Sequence, residues 1–227
     1  MKKFILPLLL LSLGGCAQSF VRQHNVEPGE IDYPKENPNP NRIVELSITN
    51  PDSVEYELRS VYEAPKSTNC EYVVNVLEGA TAGFGVSLPT TFVHGVDGID
   101  RAQVVIDKYM PGRCGWKFSR LVLVVLKGGK KSLGHTILDN PSSVSFFGAR
   151  YREGLLKDKR ATNESDVILE CNLSLIDRWR KRGGNGLPCV VNGVWGGVGK
   201  VLTDTTSDIH VRMRDTDSPI HVLERRH

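Results

Sequence analysis

The sequence has no hydrophobic run long enough to cross a membrane, since a transmembrane helix needs about 20 predominantly apolar residues. Its longest apolar stretch, residues 4–13, is only roughly ten residues long and is broken by Pro7. No cysteine pair has Cys-x-x-Cys or Cys-x-x-His spacing. This argues against a zinc site and against a redox-active cysteine pair.

Sequence motifs typical of catalytic sites are also missing. The chain contains no Gly-x-Ser-x-Gly elbow, no His-Glu-x-x-His zinc helix and no phosphate-binding loop ending in Gly-Lys-Ser/Thr. The formal net charge is only +3, so nothing global favours binding to nucleic acid. We therefore expect a protein that is not an enzyme and that needs no cofactor. His94 and His135 would serve catalysis only with a nucleophile and an orienting acid nearby in space.

The N-terminus carries the most specific pattern in the chain. Lys2 and Lys3 precede the short apolar run, which ends in Leu13-Gly14-Gly15-Cys16, the order of a secretory signal. A cysteine after Leu-Gly-Gly resembles a bacterial lipobox. That resemblance implies cleavage before Cys16, a diacylglycerol on its thiol and acylation of its new amine. The alternative is an ordinary secretory signal with an incidental cysteine.

The resemblance also implies a location. Position 17 is alanine and not aspartate, which favours the periplasmic face of the outer membrane over retention in the inner membrane. Two or three acyl chains would give a stable anchor. We divide the chain into a signal peptide (1–15), a lipidated flexible tether (16–41) rich in proline and asparagine, and one β-rich periplasmic domain (42–227).

Four cysteines remain after removal of the signal peptide, and an even number in an oxidising compartment indicates disulfides. Three connectivities are possible. We favour the pairs nearest in sequence, Cys70–Cys114 and Cys171–Cys189.

Short alternating runs separated by glycine, proline and asparagine predict an all-β, sandwich-like domain. We expect a hairpin of Ile43–Thr49 and Val54–Tyr62 around Asn50-Pro51-Asp52, and a central strand over 117–126. The Gly-rich segment 79–98 is ambiguous and is compatible with a long irregular loop.

One basic loop is the candidate partner-binding element. It would lie between the strands that carry Cys171 and Cys189, and tryptophan and arginine are enriched at interface hot spots. The alternative is a solvated hairpin whose tryptophan folds onto the body. The candidate residues are Arg178, Trp179, Arg180, Lys181 and Arg182.

The lipobox, the polar tether, one β-rich domain and paired cysteines around Tyr109-x-Pro111-Gly112-x-Cys114-x-Trp116 together resemble immunity lipoproteins paired with type VI secretion lipase effectors. The resemblance implies a lipid-anchored protein that binds and neutralises a secreted antibacterial toxin. The alternative is a structural or assembly lipoprotein of a secretion system or of the cell envelope. An enzyme is the hypothesis with the least support.

Overall fold

The computed structural model describes residues 22, 24–50, 54–65, 67, 69–127, 130–131, 134–142, 166–172, 189–193 and 197–215. Over these residues the chain forms fourteen strands and no helix, which confirms the predicted all-β class. The strands are β1 Ile43–Thr49, β2 Glu55–Glu63, β3 Glu71–Asn75, β4 Ala80–Gly83, β5 Gly85–Pro89, β6 Phe92–His94, β7 Ile99–Val105, β8 Lys117–Lys127, β9 Lys130–Lys131, β10 His135–Asp139, β11 Asp166–Cys171, β12 Cys189–Val191, β13 Val198–Val201 and β14 Asp208–Asp215.

Two larger sheets form the body. The first has the order β12-β11-β14-β1-β7-β6, and the second has the order β13-β10-β8-β2-β5, with β9 paired to β8. Both sheets are mixed, because β14 runs parallel to β1 and to β11, and β13 runs parallel to β10. Strands β3 and β4 form a separate two-stranded sheet.

Alternation along the strands produces the core. In β1, Val44, Leu46 and Ile48 are buried while Glu45 is exposed, because successive side chains of a strand point to opposite faces. Strands of both sheets contribute to a single cluster of buried side chains, in which Tyr62, Phe84 and Phe118 are the largest fully buried. The predicted sandwich is therefore confirmed.

The predicted hairpin of β1 with β2 is wrong. The two strands are consecutive, but β1 pairs with β7 and β14 in the first sheet, whereas β2 pairs with β5 and β8 in the second. Asn50 supports the connection, since its side chain bonds both the backbone N–H and the C=O of Val54. The alternating pattern identifies which face of a strand is buried, and it does not identify the partner strand.

The boundary of the predicted tether (16–41) also needs correction. Residues 24–41 belong to the folded body, with Val26, Asp32 and Pro34 buried. Asn25 bonds both backbone groups of Gly85, and Trp116 Nε1 donates to the Asp32 carbonyl at 3.0 Å. The segment is held by hydrogen bonds and ion pairs as well as by burial, and a count of its apolar residues does not reveal those polar contacts.

The Gly-rich segment 79–98 is mostly regular structure, because it forms β4, β5 and β6 and the turns between them. Gly79 (φ +62°) and Gly98 (φ +75°) end two hairpin turns in the left-handed region that glycine adopts without steric cost. Within the described part of the chain, no helix has the length and apolar character needed to span a bilayer.

Candidate functional site

The candidate partner-binding residues, Arg178, Trp179, Arg180, Lys181 and Arg182, lie outside the described residues, and so does Cys16. The base of the basic loop is described. Cys171 at the end of β11 lies directly opposite Cys189 at the start of β12, and the two form a disulfide. Because β12 is the outermost strand of the first sheet, the disulfide between the flanking strands lies at a sheet edge.

The second disulfide, Cys70–Cys114, joins the start of β3 to the turn before β8. The carboxylate of Asp32 lies beside it, within 4.8 Å of both sulfurs. Three residues of metal-ligand type thus meet, but the sulfurs are bonded to each other and are not the thiolates that zinc binds. Arg22 and Arg113 both pair with the buried Asp32 carboxylate, so this cluster joins the N-terminal segment to the body.

A cluster at the other edge of the first sheet is the best-organised candidate site. His94 on β6 lies opposite Asp100 on β7, and His94 Nδ1 is 2.6 Å from Asp100 Oδ1. The Tyr56 hydroxyl donates to the other carboxylate oxygen of Asp100. Since Tyr56 belongs to β2 in the second sheet, the buried carboxylate of Asp100 connects the two sheets.

Electrostatics assign a role to each member of this cluster. Burial, followed by the hydrogen bond to the Asp100 carboxylate, raises the pKa of Tyr56 far above its usual range, so the phenol stays a donor. Because the Asp100 carboxylate accepts a hydrogen bond from His94 Nδ1, Nε2 is the ring nitrogen that points away from the carboxylate. No described residue forms a hydrogen bond with that Nε2, and the His94 side chain is 79% exposed.

Aromatic packing fixes the position of the imidazole. The Phe92 ring stacks on Tyr56 with centroids 4.9 Å apart, and it meets the His94 ring edge-on at 5.1 Å. A cleft of about 530 Å³ opens beside these rings. An oriented imidazole in a cleft can accept a hydrogen bond or a proton from a ligand. Among the described residues, no serine, threonine or cysteine bonds to His94 as a nucleophile would.

His94 was a candidate from the sequence, whereas its partners Asp100 and Tyr56 were not. Asp100 stands opposite His94 through a hairpin whose turn is Gly95-Val96-Asp97-Gly98, and this glycine-bounded turn is the signal that would have suggested the pairing. Tyr56 comes from a different sheet, and no local signal places it here.

Strand β6 lies between two clefts. A second cleft, of about 600 Å³, is lined by Leu88 and Pro89 of β5, by the exposed Val93 and by Arg101 of β7. Because side chains alternate along a strand, Val93 and His94 face different clefts. The short edge strand therefore presents an apolar side chain to one cleft and a basic side chain to the other.

The other described histidines lie elsewhere, and His24 Nε2 is 3.2 Å from Glu30 Oε1 in the N-terminal segment. His210 lies between two hydroxyl groups, with Nδ1 3.1 Å from Ser47 Oγ and Nε2 3.0 Å from Thr49 Oγ1. His135 is only 7% exposed, and its Nε2 is buried without a hydrogen bond to any residue that the structure describes. Burial lowers the pKa of His135 to about 4, so this ring is neutral near pH 7.

Comparison of the chain with protein-family models, with curated proteins and with solved structures finds no match.

Proposed function

We propose that the protein is a lipid-anchored periplasmic binding protein that neutralises a secreted antibacterial toxin, with a phospholipase as the candidate toxin class. The observation that carries the proposal is the Cys171–Cys189 disulfide, which closes the base of the basic loop at a sheet edge. A loop with fixed ends loses less conformational entropy on binding. The Trp179 and arginine side chains of that loop are of the types that dominate interface energetics.

The anchor supports the choice of toxin. The described body begins at Arg22, six positions after the proposed lipidation site Cys16. A fully extended chain covers at most about 3.6 Å per residue, so with this anchor the start of the body at Arg22 would lie within roughly 20 Å of the lipid. A phospholipase must approach the bilayer to reach its substrate, and this position places the inhibitor in its path.

Lipidation is tested first by labelling cells with a fatty-acid analogue. We expect label on the wild type and none on Cys16→Ser, and density fractionation should recover the wild type with outer membranes. Equal labelling of both proteins, or recovery with inner membranes, would contradict the anchor and its location respectively.

Toxin binding is tested with Trp179→Ala. Truncation of a hot-spot tryptophan weakens binding by about 2 kcal/mol or more, or roughly thirtyfold in dissociation constant. The matched control is Arg214→Ala, which removes an exposed cation on β14. The expected result is weaker binding for Trp179→Ala alone, with little change in melting temperature.

One outcome would overturn the interface, and two others would overturn the function. If Trp179→Ala instead lowers stability by about 3–5 kcal/mol, as core truncations do, and binding is unchanged, the loop is not the interface. If a strain without the gene survives beside toxin-secreting siblings as well as the wild type does, the immunity role is wrong. Capture of secretion-machine components in place of a toxin would assign the protein to the alternative, an assembly lipoprotein.

A second candidate function is chemistry in the cleft beside His94, favoured by the Asp100–His94 pair. It predicts hydrolysis of a chromogenic ester that is abolished by His94→Gln and retained by His210→Gln. Equal rates for the two variants would exclude it.

A further inference from the structure

Two consecutive large apolar side chains are exposed at the tip of the β3–β4 hairpin. The turn between β3 and β4, Val76-Leu77-Glu78-Gly79, leaves Val76 78% and Leu77 98% exposed. Val74, at the end of β3, is also exposed. Isolated exposed apolar residues are ordinary, but contiguous ones indicate an interaction surface.

The turn has a defined conformation that presents these side chains outward. Asn75 Oδ1 accepts from the backbone N–H of Leu77 at 3.0 Å and of Glu78 at 3.4 Å, and Gly79 closes the turn with positive φ. The base of the hairpin is held by the Cys70–Cys114 disulfide and by the stacking of Tyr72 on Phe84. A hairpin with a braced base and an apolar tip is suited to inserting that tip into an apolar environment.

The first described residue, Arg22, pairs with this same hairpin. The carbonyl of Arg22 accepts a hydrogen bond from the N–H of Val73 at 2.7 Å, and Arg22 forms an isolated bridge with Tyr72. Only five residues separate Arg22 from Cys16. An extended strand rises about 3.3 Å per residue, so Tyr72 and Leu77 are about 16 Å apart at most, which is within the reach of the anchor.

A further exposed apolar residue lies near Arg22. Ile31 is 80% exposed, and its neighbours on both sides, Glu30 and Asp32, pair with the Arg22 guanidinium. The end of the body that carries the proposed anchor is thus also an end that exposes apolar side chains.

We propose that the tip of the β3–β4 hairpin, Val76 and Leu77 with Val74 behind them, inserts into the phospholipid surface that holds the acyl chains of Cys16. The inference rests on the proposed lipid anchor. Acyl chains alone supply retention, so the role of the tip is to set the orientation of the body. A second contact beside a short tether restricts rotation and gives the clefts and the basic loop fixed positions relative to the bilayer.

The β6–β7 hairpin offers a matched control. Its turn, Gly95-Val96-Asp97-Gly98, also has four residues, one acid and a final glycine, and Val96 is fully exposed. It does not contact the N-terminal segment through any described hydrogen bond. Leu77→Asp and Val96→Asp therefore make the same change of charge and polarity on two comparable turns.

The first experiment measures depth in the membrane. The lipidated chain is reconstituted in phosphatidylethanolamine–phosphatidylglycerol vesicles as Leu77→Trp or Val96→Trp, and quenching by brominated lipid is compared with that of the wild type. We expect added quenching and a blue-shifted emission for Leu77→Trp only. Water-like emission from Leu77→Trp in protein that floats with the vesicles would overturn the proposal.

The second experiment separates the tip from the anchor. The full mature chain carrying Cys16→Ser is sedimented with the same vesicles, and its weak partitioning should fall about tenfold or more in Leu77→Asp and stay unchanged in Val96→Asp. No difference between these variants would contradict insertion. This result is independent of fatty-acid labelling, so failure of the anchor and failure of the tip are distinguishable. Ultracentrifugation showing a dimer that Leu77→Asp dissociates would assign the tip to self-association and overturn the proposal.

Discussion

Asp100 is a buried carboxylate whose two oxygens bond groups from different sheets, Tyr56 on β2 and His94 on β6. Hydrogen bonds to a charged group contribute about 1.5–3 kcal/mol each. His94 is 79% exposed and a bond at the surface competes with solvent, so the larger share of stability comes from the buried Tyr56. This difference separates the structural part of the cluster from the part that faces the cleft.

We therefore expect Tyr56→Phe to lower the free energy of unfolding by about 2 kcal/mol and His94→Gln to lower it by less than about 1 kcal/mol. Urea denaturation of the two variants and of Asp100→Asn checks this. A larger loss for His94→Gln than for Tyr56→Phe would show that the imidazole holds the sheets together.

His135 makes folding sensitive to pH. Burial lowers the pKa of His135 in the folded state to about 4, below its ordinary value of 6.5. The unfolded state therefore binds more protons between these two values, and stability falls as the pH drops through that window. A histidine whose pKa is lowered by folding thus makes the fold more stable at neutral pH than in mild acid.

Between pH 7 and pH 5 this single group should remove about 2 kcal/mol of stability. Denaturation of the wild type and of His135→Gln at both pH values measures the difference, and the variant should lose less. Equal losses in the two proteins would mean that His135 is not the titrating group.

At the scale of elements, the segment 24–41 is held by specific polar contacts as much as by burial. The Asn25 side chain forms the same pair of hydrogen bonds as the backbone of a neighbouring strand would. It donates to the Gly85 carbonyl at 2.6 Å and accepts from the Gly85 N–H at 3.0 Å. Gly85 begins β5, an edge strand of the second sheet. The contact therefore occupies backbone groups that an edge would otherwise leave open.

Asn25→Ala should lower stability by about 2 kcal/mol, because it leaves both Gly85 groups without their partner. Thermal melting measures the loss, and Asn39→Ala on the exposed part of the same segment is the control. If both variants have the same melting temperature as the wild type, this segment is attached to the body less firmly than its hydrogen bonds indicate.

At the scale of the whole molecule, two disulfides close loops of different length. The pairs Cys70–Cys114 and Cys171–Cys189 are 44 and 18 positions apart in sequence. On the loop-entropy account they stabilise the fold by about 4 and about 3 kcal/mol. The first also holds the base of the β3–β4 hairpin, and the second holds the base of the basic loop.

Replacing Cys70 and Cys114 together by alanine should therefore lower the melting temperature more than replacing Cys171 and Cys189 together. The second replacement should weaken binding of a toxin through the basic loop while leaving most of the stability in place. Differential scanning calorimetry ranks the two double variants. The reverse order of melting temperatures would refute this division of roles.

The all-β class was predictable because it depends on local alternation, and the disulfide pairs were predicted by choosing the cysteines nearest in sequence. Alternation of apolar residues in β1 and β14 identifies the buried face of each strand, and cysteines near in sequence are often near in space. The lipid anchor at Cys16 and the binding role of Trp179 remain predictions.

What the tertiary structure decided is the set of contacts between distant segments. β1 and β2 joined different sheets because the core needed two apolar faces to pack against each other, and the alternation of each strand fits either pairing. Residues 24–41 joined the body through partners such as Gly85 and Trp116. Asp100 met Tyr56 across the two sheets for the same reason: hydrogen bonds between elements depend on how the sheets pack, which local pattern does not encode.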